Sequence, residues 1–248
     1  MRSRIVDSRQ AAAVFIAATT LLRLVLIPVQ QRTLLRDEVG ERLRDAILTR
    51  ELEPGSKLIE SRVAQMLGVS RAPLREAICA LVEEGLLVAK PFAGYYVQAL
   101  TIRGVEELYT MRRVLETHAF EHVWPHRNAR FRNALARRNA ALSAVLKTGD
   151  QRAAIEAELK LHSTVFEFCD NELLMTMLRG LTGRLQMYWS FQQHVHGRKG
   201  ALPDAHDDYV RLATGDDLDA MRAEITDHVA RGLVNVIDVL KRAKLNVA

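Results

Sequence analysis

The sequence predicts a mainly α-helical chain, with an N-terminal winged helix-turn-helix that carries a small β-hairpin wing and an all-helical bundle behind it. Three observations lead there. Leu58–Val88 reads as two short amphipathic helices around a tight turn at Gly68. Leu86–Lys90 and Tyr95–Ala99 read as two short strands joined across Pro91-Phe92-Ala93-Gly94. From Thr101 onward helical periodicity continues to the end, with no strand pattern.

The elements follow in order. Leu35–Arg50 is amphipathic, with Val39, Leu43, Ile47 and Leu48 on one side, and Leu52-Glu53-Pro54-Gly55 ends it. The next helix turns Val63, Ala64 and Leu67 inward, and Gly68 suits a left-handed turn position. Ser70 is placed as N-cap of the following helix, whose Leu74, Ile78 and Leu81 recur at helical spacing until Gly85 stops it. Arg71 and Arg75 are left pointing outward from its first turns. Residues 34–100 thus form one expected unit. Residues 101–248 form a second, with helical runs over Thr101–Val123, Arg127–Lys147, Gln151–Phe168, Glu172–His194, Asp204–Leu212 and Asp216–Leu240. Asp150 and Asp216 are expected N-caps there.

The totals bound the function classes. In 248 residues, 35 Lys and Arg against 30 Asp and Glu give a formal charge of +5, and the pI is about 9.4. This mild basicity permits a nucleic-acid partner without requiring one. Placement says more, because Arg62, Arg71, Arg75 and Lys90 gather in the first unit. Cys79 and Cys169 are distant in sequence, and Cys79 is expected on the apolar side of its helix. Both are expected to be reduced, buried thiols of a cytoplasmic protein. The apolar run Ala11–Val29 behind Arg2 and Arg4 superficially resembles a signal sequence. Arg23 interrupts it, Pro28 follows, and no small-residue cleavage site comes next. Residues 1–33 are expected to be a dispensable extension, and no membrane partner is expected.

Polar residues interrupt three apolar stripes of the bundle. Glu158 and His162 lie four apart beside Ile155, Leu159, Val165 and Phe166. His206 shares a stripe with Tyr209, Val210 and Ala213, and His228 follows Met221 and Ile225. Buried polar groups need partners. A divalent metal satisfies a carboxylate and three imidazoles together, since a Glu-x-x-x-His pair presents two ligands from one helix face. Histidines hydrogen-bonded within the core are the alternative. His118, His122, His126, His194 and His196 lack a carboxylate at ligand spacing and are read as surface or supporting groups.

These residues resemble the GntR family of bacterial transcription regulators, within it the FadR subfamily with an FCD ligand domain. The resemblance is carried by Glu53-Pro54-Gly55-Ser56-Lys57-Leu58-Ile59-Glu60, by Val69-Ser70-Arg71-Ala72-Pro73-Leu74-Arg75-Glu76-Ala77, by Glu83-Glu84-Gly85-Leu86-Leu87 and by Gly94. In the second half it is carried by Tyr109-Thr110-Met111-Arg112-Arg113-Val114-Leu115-Glu116, by His162 through Asn171, by His206 with Gly215-Asp216, and by His228. It covers nearly everything after Thr33 and is stronger in the first half.

The resemblance implies a homodimer on a short inverted-repeat DNA operator, with DNA affinity set by a small effector in the helical domain. It implies a divalent ion (Zn, Ni or Mn) on Glu158, His162, His206 and His228, with Glu158 departing from the family's usual Asp. It also implies an organic-acid effector held by Arg112, whose guanidinium suits a carboxylate. An ion pair with Glu116, four residues on, is the other role open to Arg112. Arg71 and Arg75 are expected at base edges, Ser70 and Arg62 at phosphates or flanking bases, and Gly94 where the wing approaches the minor groove. Repressor and activator both stay open, repression being commoner in the family. Two rivals are a metal-free regulator of the same fold binding a larger effector such as an acyl thioester, and a metal-dependent hydrolase. The second lacks a separate nucleophile or general base, so the chain is not expected to be an enzyme.

Overall fold

The computed structural model describes residues 30–196 and 204–243. Residues 1–29 of the expected extension, the loop at 197–203 and residues 244–248 lie outside the described residues.

The first helix, α1 (Gln30–Leu48), begins before the periodic stretch and buries Val39, Leu43 and Ile47. After a turn comes a strand that periodicity does not reveal, β1 (Lys57–Leu58). Helix α2 (Glu60–Leu67) ends at Gly68, at φ +66°. The amides of Gly68 and Val69 return to the carbonyls of Gln65 and Ala64, a close that satisfies free carbonyls at the helix end. Helix α3 (Arg71–Glu83) carries Pro73 in its first turn and buries Leu74, Ala77, Ile78 and Leu81. The wing follows as β2 (Leu87–Lys90) and β3 (Gly94–Val97). The strand order is β1-β3-β2, all antiparallel, with Lys57 opposite Tyr96 and Lys90 opposite Gly94.

The expected hairpin forms as β2–β3, and Lys57–Leu58 pairs with β3 as a third strand; two residues are too few to show an alternating pattern. Three expectations are corrected here. Cys79 is exposed, since one residue past buried Ile78 the helix has rotated by about 100° away from the core. Ser70 occupies the N-cap position of α3 with extended backbone, but its side chain makes no capping hydrogen bond. The N-cap of the last helix is Asp217, which accepts from the Ala220 amide, rather than Asp216.

The second part is helical throughout its described residues. Its helices are α4 (Ile102–Val123), α5 (Ala129–Thr148), α6 (Gln151–Glu167), α7 (Glu172–His196), α8 (Asp207–Thr214) and α9 (Leu218–Arg242), with a short 3₁₀ turn at Trp124–His126. Side chains of Thr101, Asn128 and Asp150 cap α4, α5 and α6 by accepting from the amide three residues on. Helix α4 packs against α6, α7 and α9, with Val105, Leu108, Ala119 and Phe120 buried. Cys169 is buried, as expected.

Helix α7 joins the two parts. The amide of Gly183 donates to the carbonyl of Glu84, at the end of α3, at 3.0 Å. Ser190 Oγ donates to the Leu48 carbonyl at the end of α1 at 2.7 Å. Arg44 on α1 binds both carboxylate oxygens of Glu84 at 2.8 Å. A methyl group at Gly183 would lie 2.3 Å from the Glu84 carbonyl oxygen and 2.8 Å from Leu86 Cγ, so only glycine lets the two backbones come this close.

This contact generates a prediction. Gly183→Ala gains up to about 1 kcal/mol of helix propensity, but forced overpacking costs about 1–3 kcal/mol and the Glu84 carbonyl loses its donor. The net effect expected is destabilisation, read in a thermal melt as a midpoint lowered by several degrees. An unchanged or raised midpoint would show that the ends of α3 and α7 separate freely.

Candidate functional site

Burying charge inside the bundle requires compensation, and the side chains of α4 and its neighbours provide it. Arg112 and Glu116 are one turn apart on α4 and are 5% and 1% exposed. Arg112 Nε donates to Glu116 Oε2 at 3.2 Å. The other oxygen, Oε1, lies 3.0 Å from Nδ1 of His162 on α6 and accepts the hydroxyl of Tyr209 on α8. Burial works to raise the Glu116 carboxyl. The His162 imidazole, the Arg112 guanidinium and the two donated hydrogen bonds outweigh it and hold the group well below the usual carboxylate range.

With Nδ1–H of His162 committed to Glu116, the lone pair of that ring is on Nε2. That atom points at Nε2 of His206, 3.1 Å away. His228 on α9 completes the group: ring centroids are 5.1 Å apart for His162–His206, 5.1 Å for His162–His228 and 4.9 Å for His206–His228. One nitrogen from each ring lies within 4.8 Å of the others. His206 is not within a helix, contrary to expectation; it is the residue that precedes α8, at φ −114° and ψ 3°. Burial, helped by His162 and Arg112, pushes His206 down to about 2. Burial lowers His162 and His228 as well. The three rings are therefore neutral at ordinary pH, the state in which imidazole binds a metal.

Glu158 stands at the rim of this group. Its Oε1 is 3.7 Å from His206 Nε2, whereas the compact cluster consists of the three histidines. Burial pushes the Glu158 carboxyl up to about 7 against the opposing charge of Arg112. The residues fit a divalent ion by donor chemistry: neutral imidazoles facing one point, one of them oriented by a carboxylate on its far nitrogen. His118, His122, His126 and His194 are exposed, away from the group.

Beside the cluster, between α4, α6 and α7, lies a cavity of about 150 Å³. Arg112, Glu116 and His162 border it on one side. Arg112 takes the ion-pair role: Nε is paired with Glu116, while Nη2 is buried with no partner among the described residues. Its guanidinium carbon lies 5.5 Å from the ring centre of Trp189.

On the other part of the chain, Arg62, Ser70, Arg71, Arg75 and Gly94 are all exposed. Lys57, Arg71, Arg75, Phe92, Gly94 and Tyr95 line one open groove between α3 and the wing. Arg75 Nε donates to Glu60 Oε2 at 2.6 Å, an exposed pair that is weak and readily exchanged. Gly94 has φ +93°. Phe92, at the wing tip, is fully exposed and has φ +59°, a rare conformation for a bulky residue.

Sequence reasoning did not single out three of these residues. Glu116 entered only as a partner for Arg112, although it lies on the same apolar stripe as Ala119 and Phe120, the usual sign of a buried carboxylate. Tyr209 reads as core until its hydroxyl is placed. Phe92 reads as turn filler, yet an aromatic in a four-residue turn has nothing to pack against.

Similarity to known proteins agrees with the geometry. Residues 35–97 match "Bacterial regulatory proteins, gntR family", and residues 107–231 match "FCD domain". An HTH-type transcriptional regulator of Bacillus subtilis, YdhC, is 29% identical over 137 residues, covering 55% of this chain and 61% of that protein. A regulator from an unstable DNA locus of Streptomyces ambofaciens is 36% identical over 81 residues, 33% of this chain and 34% of that one. The chain thus spans less than two thirds of these relatives' length. The gluconate operon transcriptional repressor of Bacillus subtilis is 23% identical over 180 residues, 73% of this chain and 72% of that repressor. Among solved structures, a GntR-family regulator from Pseudomonas syringae aligns with TM-score 0.53 and 25% identity over 86% of this chain and 88% of that one. McbR/YncC of E. coli shares the fold, with TM-score 0.67 and 19% identity over 82% and 97% of the two chains. Among the described residues no helix is long and apolar enough to cross a membrane. A winged helix-turn-helix and a helical domain, matched separately and in this order, place the chain in the GntR family of bacterial regulatory proteins, with an FCD domain behind its DNA-binding unit.

Proposed function

We propose that the chain is a ligand-responsive DNA-binding transcription regulator that acts as a homodimer on an inverted repeat. The observation that carries this reading is the groove between α3 and the wing. It exposes Arg71 and Arg75 on the first turns of a helix whose other face is fully buried. A helix so presented reads base edges in the major groove, where a guanidinium donates in pairs to guanine O6 and N7. Arg62 and Ser70 then meet backbone, and the wing, led by Phe92 and Gly94, approaches the minor groove. The units proposed are 34–100 for DNA and 101–248 for the effector, with repression as the mode.

In the helical unit, His162, His206 and His228 would hold a divalent ion, with Glu158 close enough to His206 to join them after a small side-chain movement. The ion would supply a fixed positive charge beside Arg112, a target for the carboxylate of a small organic acid. The effector must bind the two arrangements of the DNA-binding units unequally, or it changes nothing. Helix α7 is where the difference would be felt, because it borders the cavity and also touches the end of α3.

Four variants test this arrangement. In DNA-binding assays at constant salt, Arg71→Ala should lower affinity for the operator about 10- to 100-fold and relax one base position. Arg62→Ala should weaken all sequences alike and flatten the salt dependence by about one ion. Full specificity in the Arg71 variant would remove that residue from base readout. Elemental analysis after reconstitution with Zn, Ni or Mn should find stoichiometric metal in the native chain and none in a His162→Ala/His206→Ala double variant. Glu116→Gln should weaken metal affinity about 10- to 100-fold by releasing the His162 ring, and should lower the unfolding temperature because Arg112 loses its counter-charge. Native protein that takes up no metal would refute the metal centre.

A further inference from the structure

We infer that the ligand of the helical domain is a compact monocarboxylate with an apolar body, aromatic or branched aliphatic and about the size of benzoate. Its carboxylate would accept from the guanidinium of Arg112, which borders the cavity between α4, α6 and α7, and its body would fill that cavity. This rests on the effector-binding reading above and narrows it to one chemical class.

Volume comes first. The cavity measures about 150 Å³, and an apolar cavity of that size in another protein accommodates benzene. An acyl thioester with a nucleotide carrier is far too large to enter it.

Charge comes second. The Arg112 guanidinium is buried, and only its Nε is paired with Glu116; Nη2 waits without an acceptor. A buried charged donor without a partner is unfavourable, and a carboxylate removes the deficit with a charge-assisted hydrogen bond. With one carboxylate shared between Arg112 and the ion proposed above, a second on the same ligand would meet no further buried side-chain donor lacking a partner among the lining residues. The other cationic side chain at the cavity is Lys160, which is exposed at its edge.

Polarity comes third. The walls are Leu115, Leu159, Phe166, Leu181, Leu185 and Trp189. Two hydroxyls line the cavity, and both protons are already committed. Ser163 Oγ donates to the Lys160 carbonyl at 3.1 Å, and Thr182 Oγ1 donates to the Leu178 carbonyl at 3.0 Å. The hydroxyls of a sugar acid would be stripped of water against leucine side chains, with almost nothing to bond. Gluconate, which the name of one relative carries, is thereby disfavoured here.

The test is calorimetric titration of the full chain, metal-loaded, with benzoate, cyclohexanecarboxylate, isovalerate, gluconate and malonate. The three apolar acids should bind at least about tenfold more tightly than gluconate or malonate, a difference of about 1.4 kcal/mol. Leu181→Phe fills the cavity from a partly buried wall position. It should weaken benzoate at least about tenfold while metal content and unfolding temperature stay near native. Arg112→Met should weaken all three apolar acids similarly. Gluconate or malonate binding as tightly as benzoate would overturn the apolar class and leave the organic-acid reading standing. Benzoate binding untouched by Leu181→Phe would place it outside the cavity and overturn the inference. No binding of any acid to folded, metal-loaded protein would overturn both.

Discussion

The helical domain is organised around one buried carboxylate. Glu116 is 1% exposed, and an ion so placed costs several kcal/mol unless its lone pairs are met. They are met from three helices: Arg112 on its own α4, His162 on α6 and Tyr209 on α8. Each bond constrains another group. Arg112 is held with Nε turned to Glu116 and Nη2 turned elsewhere. His162 is held with Nε2 turned to His206. Tyr209 anchors the start of α8, directly after His206. The donor set and the orphan guanidinium nitrogen are therefore consequences of where one carboxylate is buried.

Electrostatics then divides the interior into two sides. On one side three imidazoles are kept neutral by burial, which leaves lone pairs for a cation. On the other is a cavity whose only buried cation is already half neutralised. Glu158 lies between them with its carboxyl pushed up to about 7, so near neutral pH it is only partly ionised while no ion is near. A divalent ion would reverse that tendency by favouring the carboxylate form, as cations do for nearby acids. On the proposed reading the site would take a cation first, and an anion would then gain from both Arg112 and the ion.

Much of this was legible in the sequence because its pattern is local. Helix faces at 3.6-residue spacing gave α1 through α9 to within a few residues at their ends, and Gly68 marked the turn that sets α3. Glu158 and His162, four apart, declared a shared helix face. What stayed hidden depends on contacts between distant segments. Lys57–Leu58 is a strand only because β3 lies beside it. Cys79 is turned out by a rotation of one residue, too small a step for periodicity to resolve against Ile78. Ser70 has the residue type of a cap without its hydrogen bond. Glu116 could be placed on a face, but its three partners come from 4, 46 and 93 residues away.

The geometry also limits how the two halves can communicate. Helix α7 carries Leu181, Leu185 and Trp189 on the cavity side, and Gly183, between the two leucines, touches the Glu84 carbonyl on the other. Adjacency of this kind is not itself coupling; coupling needs two arrangements that a ligand stabilises unequally. Tight backbone contact supplies the needed sensitivity. At Gly183 there is no side chain to absorb a displacement, so a shift of α7 by a few tenths of an ångström must either move the end of α3 or lengthen the 3.0 Å hydrogen bond to it. The opposite end of α3 carries Arg71. If that helix of thirteen residues moves as a rigid rod, a small tilt at Glu83 becomes a larger displacement of Arg71 and Arg75, the arginines proposed to read DNA, and such a lever would require no further moving part.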